Sequence, residues 1–445
     1  MKTKQRSMTE GTIWKEIILF SIPLLIGNLF QQLYNTVDSV VVGNYVGESA
    51  LAAVGASSPL GNLIIGLFMG ISAGAGILVS RYFGARKDKD LSETVHTFYL
   101  MSLIMGLVLT VVGFILSPLL LNLLGTPESV MHEAVIYLKI YFAGILGLVI
   151  YNTGSGILRA VGDSRRPLIY LIVSSLINVV LDLVFVLSFG MGIEGVAYAT
   201  LIAQGASAIL VSIHLFKTQD VYGMKWSSMT MHAGKLKEII RLGIPTGIQQ
   251  MVVSFSNVLV QGYMNGFGGL AVAGFTAANK FNSILSLPTD TFSLTITTFT
   301  GQNLGARQKD RVQQGLSFVM RFTIITLIIM EIPTYIAAPH LIALFSSNPE
   351  VIDYGVRMLH IMIPFYPVLA VTMLLSGVLR GSGLTIAPMV IMVFSYTIAR
   401  QIFLFFAMKI SVNVDWVFWS YSVTWALSTI LTYWYHKKSN WLETA

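Results

Sequence analysis

Long apolar stretches with almost no charge dominate this chain and restrict the folds that are open to it. A bilayer core about 30 Å thick is crossed by about 20 apolar residues in a helix, and twelve stretches of the 445-residue chain meet that requirement. Transmembrane β-barrels would instead show short segments of alternating polarity. The sequence therefore predicts an all-α integral membrane protein with twelve transmembrane helices. The predicted spans are approximately 17–42, 52–80, 94–122, 131–158, 167–189, 193–216, 240–265, 271–301, 315–345, 353–380, 386–409 and 416–436.

Basic residues are concentrated in every second loop. The formal net charge is +7, and Lys and Arg cluster before the first predicted span and after each even-numbered span, with Lys409 as the exception among the other loops. Cytoplasmic loops of membrane proteins carry such an excess. The pattern predicts a multi-pass membrane protein with both termini cytoplasmic, and we expect it in the plasma (inner) membrane of a prokaryote. The basic balance thus reflects topology and does not indicate a nucleic-acid partner.

Several kinds of chemistry are disfavoured by residues that the sequence lacks. It contains no cysteine, so a disulfide framework, a thiolate metal site and a thiol nucleophile are ruled out. The phosphate-binding pattern GxxxxGK[ST] and the zinc-binding pattern HExxH are also missing. We therefore predict that the protein is not an enzyme and needs no cofactor.

The two halves of the sequence repeat each other. Ile22-Pro23 recurs in the second half as Ile244-Pro245. Because this offset covers six spans, an even number, the two copies have the same orientation. We predict two parallel-repeat six-helix bundles around a central cavity: an N-terminal lobe at 1–216, a cytoplasmic linker at 217–239 and a C-terminal lobe at 240–445. The other motifs that recur at nearly the same offset are Gly84-Ala85-Arg86, Pro127-Glu128 and Gly156-Ile157-Leu158-Arg159.

Polar side chains lie at similar predicted depths in three spans of the first half. Asp38, Asp182 and Thr200 all lie near the outer ends of their helices. A carboxylate exposed to lipid costs about 2.5–3.5 kcal/mol or more, so such residues normally face a protein interior or a watery cavity. A second polar layer lies one turn deeper on the same helix faces and consists of Gln31, Tyr34, Asn178 and Gln204.

The two acids are predicted to form an ion-coupling site. Two nearby carboxylates cannot both be ionised cheaply in a poorly solvated pocket, so the pair is expected to hold a proton or to bind a cation. Hard oxygen donors suit Na⁺ or a proton better than a soft metal. A structural alternative, in which each Asp only accepts hydrogen bonds at a helix contact, stays open. The predicted site, with Na⁺ as the possible metal, comprises Asp38, Asn178, Asp182 and Thr200.

The second half does not duplicate these acids, because apolar residues occupy the positions equivalent to Asp38 and Asp182. The ion step is therefore expected in the first half. In the second half, Asn257 and Asp290 are candidates for lining the substrate cavity, together with Gln204 of the first half. Glu331 is expected to face the outer vestibule. Lys280 and Arg400 are further charges within the spans, for which structural pairing and function are both open.

Several sequence motifs resemble those of the multidrug and toxic compound extrusion (MATE) family of secondary transporters. The resemblance covers essentially the whole chain. It rests on Ile22-Pro23 and Tyr34-Asn35-Thr36-Val37-Asp38 in the first span, Tyr82-Phe83-Gly84-Ala85-Arg86, Leu158-Arg159-Ala160-Val161-Gly162-Asp163, Asn178-Val179-Val180-Leu181-Asp182 and Gly301-Gln302-Asn303-Leu304-Gly305-Ala306.

The resemblance implies a secondary active antiporter that exports amphipathic or cationic organic compounds in exchange for Na⁺ or H⁺. It implies an ion site at the four residues named above, and substrate contacts from Gln31, Tyr34 and Asn152. The implied partners are small organic substrates and the lipid bilayer, and the chain is expected to act as a monomer. Some members carry further acids in the C-terminal lobe, where this sequence reads Val253-Ser254 and Arg380-Gly381-Ser382-Gly383-Leu384.

Two other function classes stay open at this point. A lipid-linked precursor flippase of the wider two-bundle superfamily would need a large, strongly cationic cavity, and only Lys280 and Arg400 offer such charge within the spans. A channel or a non-transporting receptor would not require a repeat with acids in one lobe. Dependence of transport on a counter-ion would separate these classes, because a channel needs no exchange.

Overall fold

The computed structural model describes residues 7–123 and 125–443, including all side chains in these ranges except those at 35, 39–40, 48, 51, 56, 58–64 and 67. Within the described residues, the regular elements are helices and no strand occurs. A helix satisfies its backbone polar groups internally, which is what a chain this apolar needs inside a bilayer. The predicted all-α fold class is confirmed.

The first half of the chain forms six long helices. Two of them end in a short π-helical stretch, Val42–Val46 after the first and Val184–Ser188 after the fifth. In chain order they are α1 (Ile13–Val41), α2 (Glu48–Gly84), α3 (Asp88–Leu123), α4 (Glu128–Ala160), α5 (Arg165–Leu183) and α6 (Ile193–Lys217).

The second half repeats this order with two interruptions. A 3₁₀ turn at Ile363–Phe365 divides the fourth span, and a π-helical stretch at Val393–Ala399 divides the fifth. The helices are α7 (Ala233–Asn265), α8 (Gly269–Gly305), α9 (Lys309–Ala343), α10 (Pro349–Met362), α11 (Tyr366–Gly381), α12 (Ile386–Met392), α13 (Arg400–Ile410) and α14 (Asp415–Lys438).

Eight helical segments of the described chain are long and apolar enough to cross a membrane. Together with α2, α7, α8 and α14 they make up the twelve long helical segments that the hydropathy pattern predicts. The eight segments are Ile13–Val46, Asp88–Leu123, Glu128–Ala160, Arg165–Ser188, Ile193–Lys217, Lys309–Ala343, Pro349–Gly381 and Ile386–Ile410.

The chain divides into two compact units. Unit 1 contains Ile22–Ile244, and unit 2 contains Met8–Ser21 together with the chain from Pro245 onward. Unit 1 has one apolar core around Phe98, Ile157 and Leu158 and another around Phe142. The core of unit 2 includes Phe418 and lies where α8, α10, α11 and α14 pack together.

Repeat-related turns adopt the same unusual backbone. Arg86 follows α2 and Arg307 follows α8, and both have a left-handed backbone with φ of 53° and 60°. Helices α2 and α8 are each 37 residues long. Non-glycine residues rarely adopt this conformation, so its recurrence at equivalent positions supports the repeat on grounds independent of sequence similarity.

The segment between α6 and α7 packs on unit 1. Tyr222 and Met224 are each 2 % exposed and belong to its core. The Lys225 backbone N–H donates to His96 Nε2 at 3.1 Å, and the His232 N–H donates to Thr97 Oγ1 at 3.1 Å. This segment is therefore an ordered part of unit 1 and not a free connection.

Candidate functional site

Three helices of unit 1 bring the predicted coupling residues together. Tyr34 and Asp38 are four residues apart on α1, and Asn178 and Asp182 are four apart on α5, so each pair lies on one helix face. Asn178 and Asp182 are 1 % and 0 % exposed. Thr200 of α6 is 8 % exposed, and Asp38 is half-buried. Charged and polar groups on three apolar helices therefore converge inside the unit.

The two carboxyl groups are in contact. Asp38 and Asp182 lie within hydrogen-bonding reach of each other. Oδ1 of each residue is buried and has no hydrogen-bond partner within the protein. Two carboxylates placed this way repel each other, so the arrangement is stable only with a shared proton or a cation between them.

An amide and two hydroxyl groups surround the carboxyl pair. The Asn178 side chain is oriented so that Nδ2 donates to Asp182 Oδ2 at 2.9 Å and Oδ1 accepts from the Thr200 N–H at 3.2 Å. The Tyr34 hydroxyl lies within hydrogen-bonding reach of Thr200 and near both acids. The site thus offers only oxygen and amide groups, which are suited to a proton or to Na⁺. Within the described residues, no group of three His, Cys, Asp or Glu is close enough to hold another metal.

Sequence reasoning missed a tyrosine next to the carboxyl pair and a second tyrosine that stacks on it. Tyr137 of α4 lies near Asp38 and Asp182, and its ring stacks on Tyr141 with centroids 6.3 Å apart. The available signal was their spacing of four residues in an apolar helix, which puts both rings on one face. Aromatic residues at that spacing more commonly fill a core, so spacing alone did not distinguish them.

The predicted substrate contacts occupy varied environments. Gln31 of α1, Asn257 of α7 and Asp290 of α8 are exposed, whereas Tyr34 and Gln204 are half-buried. Asn152 of α4 is half-buried, and its Nδ2 donates to the Leu148 carbonyl of its own helix at 2.8 Å. This bond within α4 satisfies one hydrogen-bond donor of the Asn152 side chain.

Two charged residues of unit 2, Glu331 and Arg400, are buried. Glu331 of α9 is 6 % exposed, so the expectation that it faces an outer vestibule is wrong. Arg400 is 2 % exposed, and its guanidinium donates to Ser256 Oγ and Thr424 Oγ1, each at 2.9 Å. It also lies 4.4 Å from the Tyr421 ring centroid. Hydroxyl and aromatic groups thus compensate part of the buried Arg400 charge, while its Nε is buried without a hydrogen-bond partner.

Comparison with known proteins agrees with the fold and the repeat. The family model described as MatE matches residues 23–184 and 245–406, so it matches each half of the chain once and begins at Pro23 and at its repeat counterpart Pro245. The chain is 30% identical over 405 residues to "Probable multidrug resistance protein YpnP" of Bacillus subtilis, covering 90% of this chain and 89% of the relative. It is 29% identical over 452 residues to "Probable multidrug resistance protein YoeA" of the same organism, covering 98% and 97%.

A solved structure shares the fold over nearly the whole chain. It is described as "Outward-facing conformation of a multidrug resistance MATE family transporter of the MOP superfamily", and it superposes with a TM-score of 0.91 at 24% identity, covering 98% of both chains. With both halves matched by the family model and a relative 30% identical over nine-tenths of its length, the chain belongs to the MatE family and is a multi-pass membrane transporter, not an enzyme.

Proposed function

We propose that this protein is a cation-coupled antiporter that exports amphipathic organic compounds, many of them cationic, in exchange for Na⁺ or H⁺. Its relatives YpnP and YoeA are named as probable multidrug resistance proteins. The topology proposed from the distribution of basic residues puts both termini in the cytoplasm of a prokaryote. Coupling ions would then enter from outside, and the exported compound would leave in the opposite direction.

The contact between Asp38 and Asp182 is the observation that carries this proposal. A cation that binds between two acids relieves their repulsion, and the hydroxyl groups of Tyr34 and Thr200 supply further oxygen atoms nearby, while the Asn178 amide holds Asp182 in place. Ion binding changes transport only if it favours one conformation over another. We propose that the occupied site favours the conformation that releases the exported compound.

Gradient-driven efflux from proteoliposomes tests the proposal. Purified protein is reconstituted with a fluorescent organic cation inside, and a Na⁺ gradient and a pH gradient are imposed separately. D38N and D182N each remove one negative charge, so we expect both variants to insert normally and to lose at least about 90 % of gradient-driven efflux, a change of about 1.4 kcal/mol or more in the coupling step.

Glu194→Gln is the matched control for these variants. Glu194 is an exposed carboxylate in the first turn of α6, six residues from Thr200, and makes no contact with the acid pair. This variant should transport at the wild-type rate. Wild-type efflux from both D38N and D182N would overturn the proposed coupling site, and the gradient that drives the wild-type protein identifies the ion.

The flippase alternative is weakened by the surroundings of Arg400. A pyrophosphate-binding cavity would need several accessible cations, but Arg400 is 2 % exposed and bonded to two hydroxyl groups. Lys280 is exposed, and the charge of the half-buried Arg380 is offset by its acidic neighbour Asp290, so this part of the chain does not present the strongly cationic surface that pyrophosphate needs. Export of organic compounds is therefore the function that we favour.

A further inference from the structure

An exposed carboxylate lies in the middle of α8. Asp290 is exposed although Thr289 and Thr291 on either side are each 1 % exposed. Ser283 is also exposed on this helix, seven residues earlier, which is close to two helical turns, and Lys280 is exposed about one turn before Ser283. A polar stripe of this kind would be costly against lipid. We therefore take the Asp290 face of α8 to be in contact with water.

Two glycines of α11 bring a basic residue to this face. A Cβ atom added to Gly377 would lie 2.7 Å from the Ser293 carbonyl oxygen, and one added to Gly381 would lie 2.5 Å from that of Thr297. Any other residue at these positions would therefore push α11 away from α8. Arg380 lies between the two glycines in the sequence, so the close approach carries its side chain to α8.

Hydrogen bonds fix the Arg380 side chain next to Asp290. Its Nη2 donates to Ser293 Oγ at 2.8 Å, and its Nη1 donates to Gln249 Oε1 at 3.3 Å. Ser293 in turn donates to the Met373 carbonyl at 2.8 Å. Asp290 lies one helical turn before Ser293, on the same side of α8. The guanidinium thus has two anchored N–H groups and three more that these bonds leave available.

Asp290 and Arg380 influence each other electrostatically but do not form a direct ion pair. Each is the charged neighbour of the other in unit 2. No ion pair of 4.0 Å or less joins them, although both are within the described residues. The Asp290 carboxylate and the Arg380 guanidinium therefore lie near each other, and neither uses its hydrogen-bonding groups on the other.

We propose that Asp290 and Arg380 form a binding subsite of unit 2 for a zwitterionic compound that carries an organic cation and a carboxylate. This inference rests on the proposed export function and specifies its substrate class. Asp290 would hold the cationic group, and the free N–H groups of Arg380 would hold the carboxylate. A plain cation would be attracted by Asp290 but repelled by Arg380, whereas a zwitterion complements both charges.

The repeat shows that this charge pair is special to unit 2. Arg380 has a counterpart in Arg159 of unit 1, at the same place in the repeated Gly-x-Leu-Arg motif. The positions equivalent to Asp290 are Phe68 and Met69, which carry no charge. Unit 1 therefore lacks the acid that would complete such a subsite, just as unit 2 lacks the acids of the coupling site.

Equilibrium binding of two matched dyes tests the proposal. The probes are a xanthene dye with a free carboxylate, which is zwitterionic at pH 7, and the ethyl ester of the same dye, which is a plain cation. Each is titrated with the purified protein in lipid nanodiscs, and fluorescence anisotropy reports the fraction bound. No ion gradient is present, so a failure of the proposed ion coupling would leave these affinities as expected.

The wild-type protein should bind the zwitterion more tightly than the ester. R380Q should weaken binding of the zwitterion about tenfold, the loss of one charge-assisted contact, and should leave the affinity for the ester unchanged or improved. D290N should weaken binding of both dyes. R380K, which keeps the charge but not the planar fork, should give an intermediate affinity for the zwitterion.

D353N provides the control. Asp353 is an exposed carboxylate of unit 2 whose pairing with Arg357 is at the surface, so this variant should bind both dyes like the wild type. Equal weakening of both dyes by R380Q would overturn the proposal, as would unchanged affinities in D290N. Thermal midpoints of all variants are measured in parallel, and R380K decides the question if R380Q fails to fold.

Discussion

At the scale of single residues, Arg311 shows how one side chain can fix a chain segment. Its guanidinium donates to the Met8, Glu10 and Gly11 carbonyl oxygens, and the bonds to Glu10 and Gly11 are both 2.8 Å long. Gln302 Oε1 accepts from the Met8 N–H at 2.9 Å. These bonds hold the segment before α1 on unit 2.

Replacing Arg311 with alanine should destabilise unit 2. The change removes hydrogen bonds from a charged donor to three carbonyls; such a bond contributes about 1.5–3 kcal/mol net, and less where it is exposed to water, as are the bonds to Glu10 and Gly11. We expect a net cost of about 2 kcal/mol and a lower thermal midpoint in detergent.

K309A should melt like the wild type, because Lys309 is exposed in the same turn. The thermal midpoint of R311K should lie between those of R311A and the wild type, since lysine keeps the charge but cannot reach three carbonyls at once. An unchanged midpoint for R311A would mean that these bonds contribute nothing to stability.

The sequence predicts the depth of a polar residue well and its direction poorly. Asp38, Asp182 and Thr200 have similar depths that follow from counting residues along three helices. The burial of Glu331 could not be found in the same way, because the direction of a side chain depends on how α9 packs on its neighbours. Tyr137 and Tyr141 were missed for the same reason.

At the scale of helices, an interruption of one span distinguishes it from its copy in the other half of the repeat. Helix α4 is continuous over Glu128–Ala160, whereas its counterpart is divided by the 3₁₀ turn at Ile363–Phe365. Pro364 and Pro367 lie at this turn, and each lacks the N–H that a continuing helix would use. The apolar pattern predicts one span at 353–380 because hydropathy does not register a missing hydrogen bond.

Replacing Gly381 with alanine should separate α11 from α8. The new Cβ would lie 2.5 Å from the Thr297 carbonyl oxygen, and relief of such overpacking typically costs about 1–3 kcal/mol. We expect a lower thermal midpoint together with weaker binding of the zwitterionic dye, because Arg380 moves with the helix.

Gly262→Ala is the matched control for this variant. Gly262 lies inside α7 with no atom within 4 Å of an added Cβ, so alanine should be neutral or should stabilise the helix by up to about 1 kcal/mol. Equal midpoints for the Gly381 and Gly262 variants would argue against tight packing between α8 and α11.

At the scale of the whole molecule, the order of helices and the repeat could be predicted, because both depend on hydropathy and on recurring motifs. The assignment of Met8–Ser21 to unit 2 could not be predicted. It depends on hydrogen bonds between residues that are far apart in the chain, such as Gly11 and Arg311. Nothing in the local composition of Met8–Ser21 indicates these partners.

Single cysteines should report the orientation of the protein in the membrane. The chain has no cysteine of its own, so S228C and S347C would each carry one reactive thiol. Ser228 lies between α6 and α7 among basic residues, and Ser347 lies between α9 and α10. From the distribution of positive charge, a membrane-impermeant maleimide added to intact cells should label S347C but should label S228C only after permeabilisation. Labelling in the opposite order would reverse the proposed topology.

Beyond Met8, the chain passes between the two units twice, close to Ile22-Pro23 and at Ile244-Pro245. Both passages lie inside helices, α1 and α7, and not in loops. A movement of either unit would therefore act on two helices, and the backbone hydrogen bond that is missing at each proline makes bending at these steps easier.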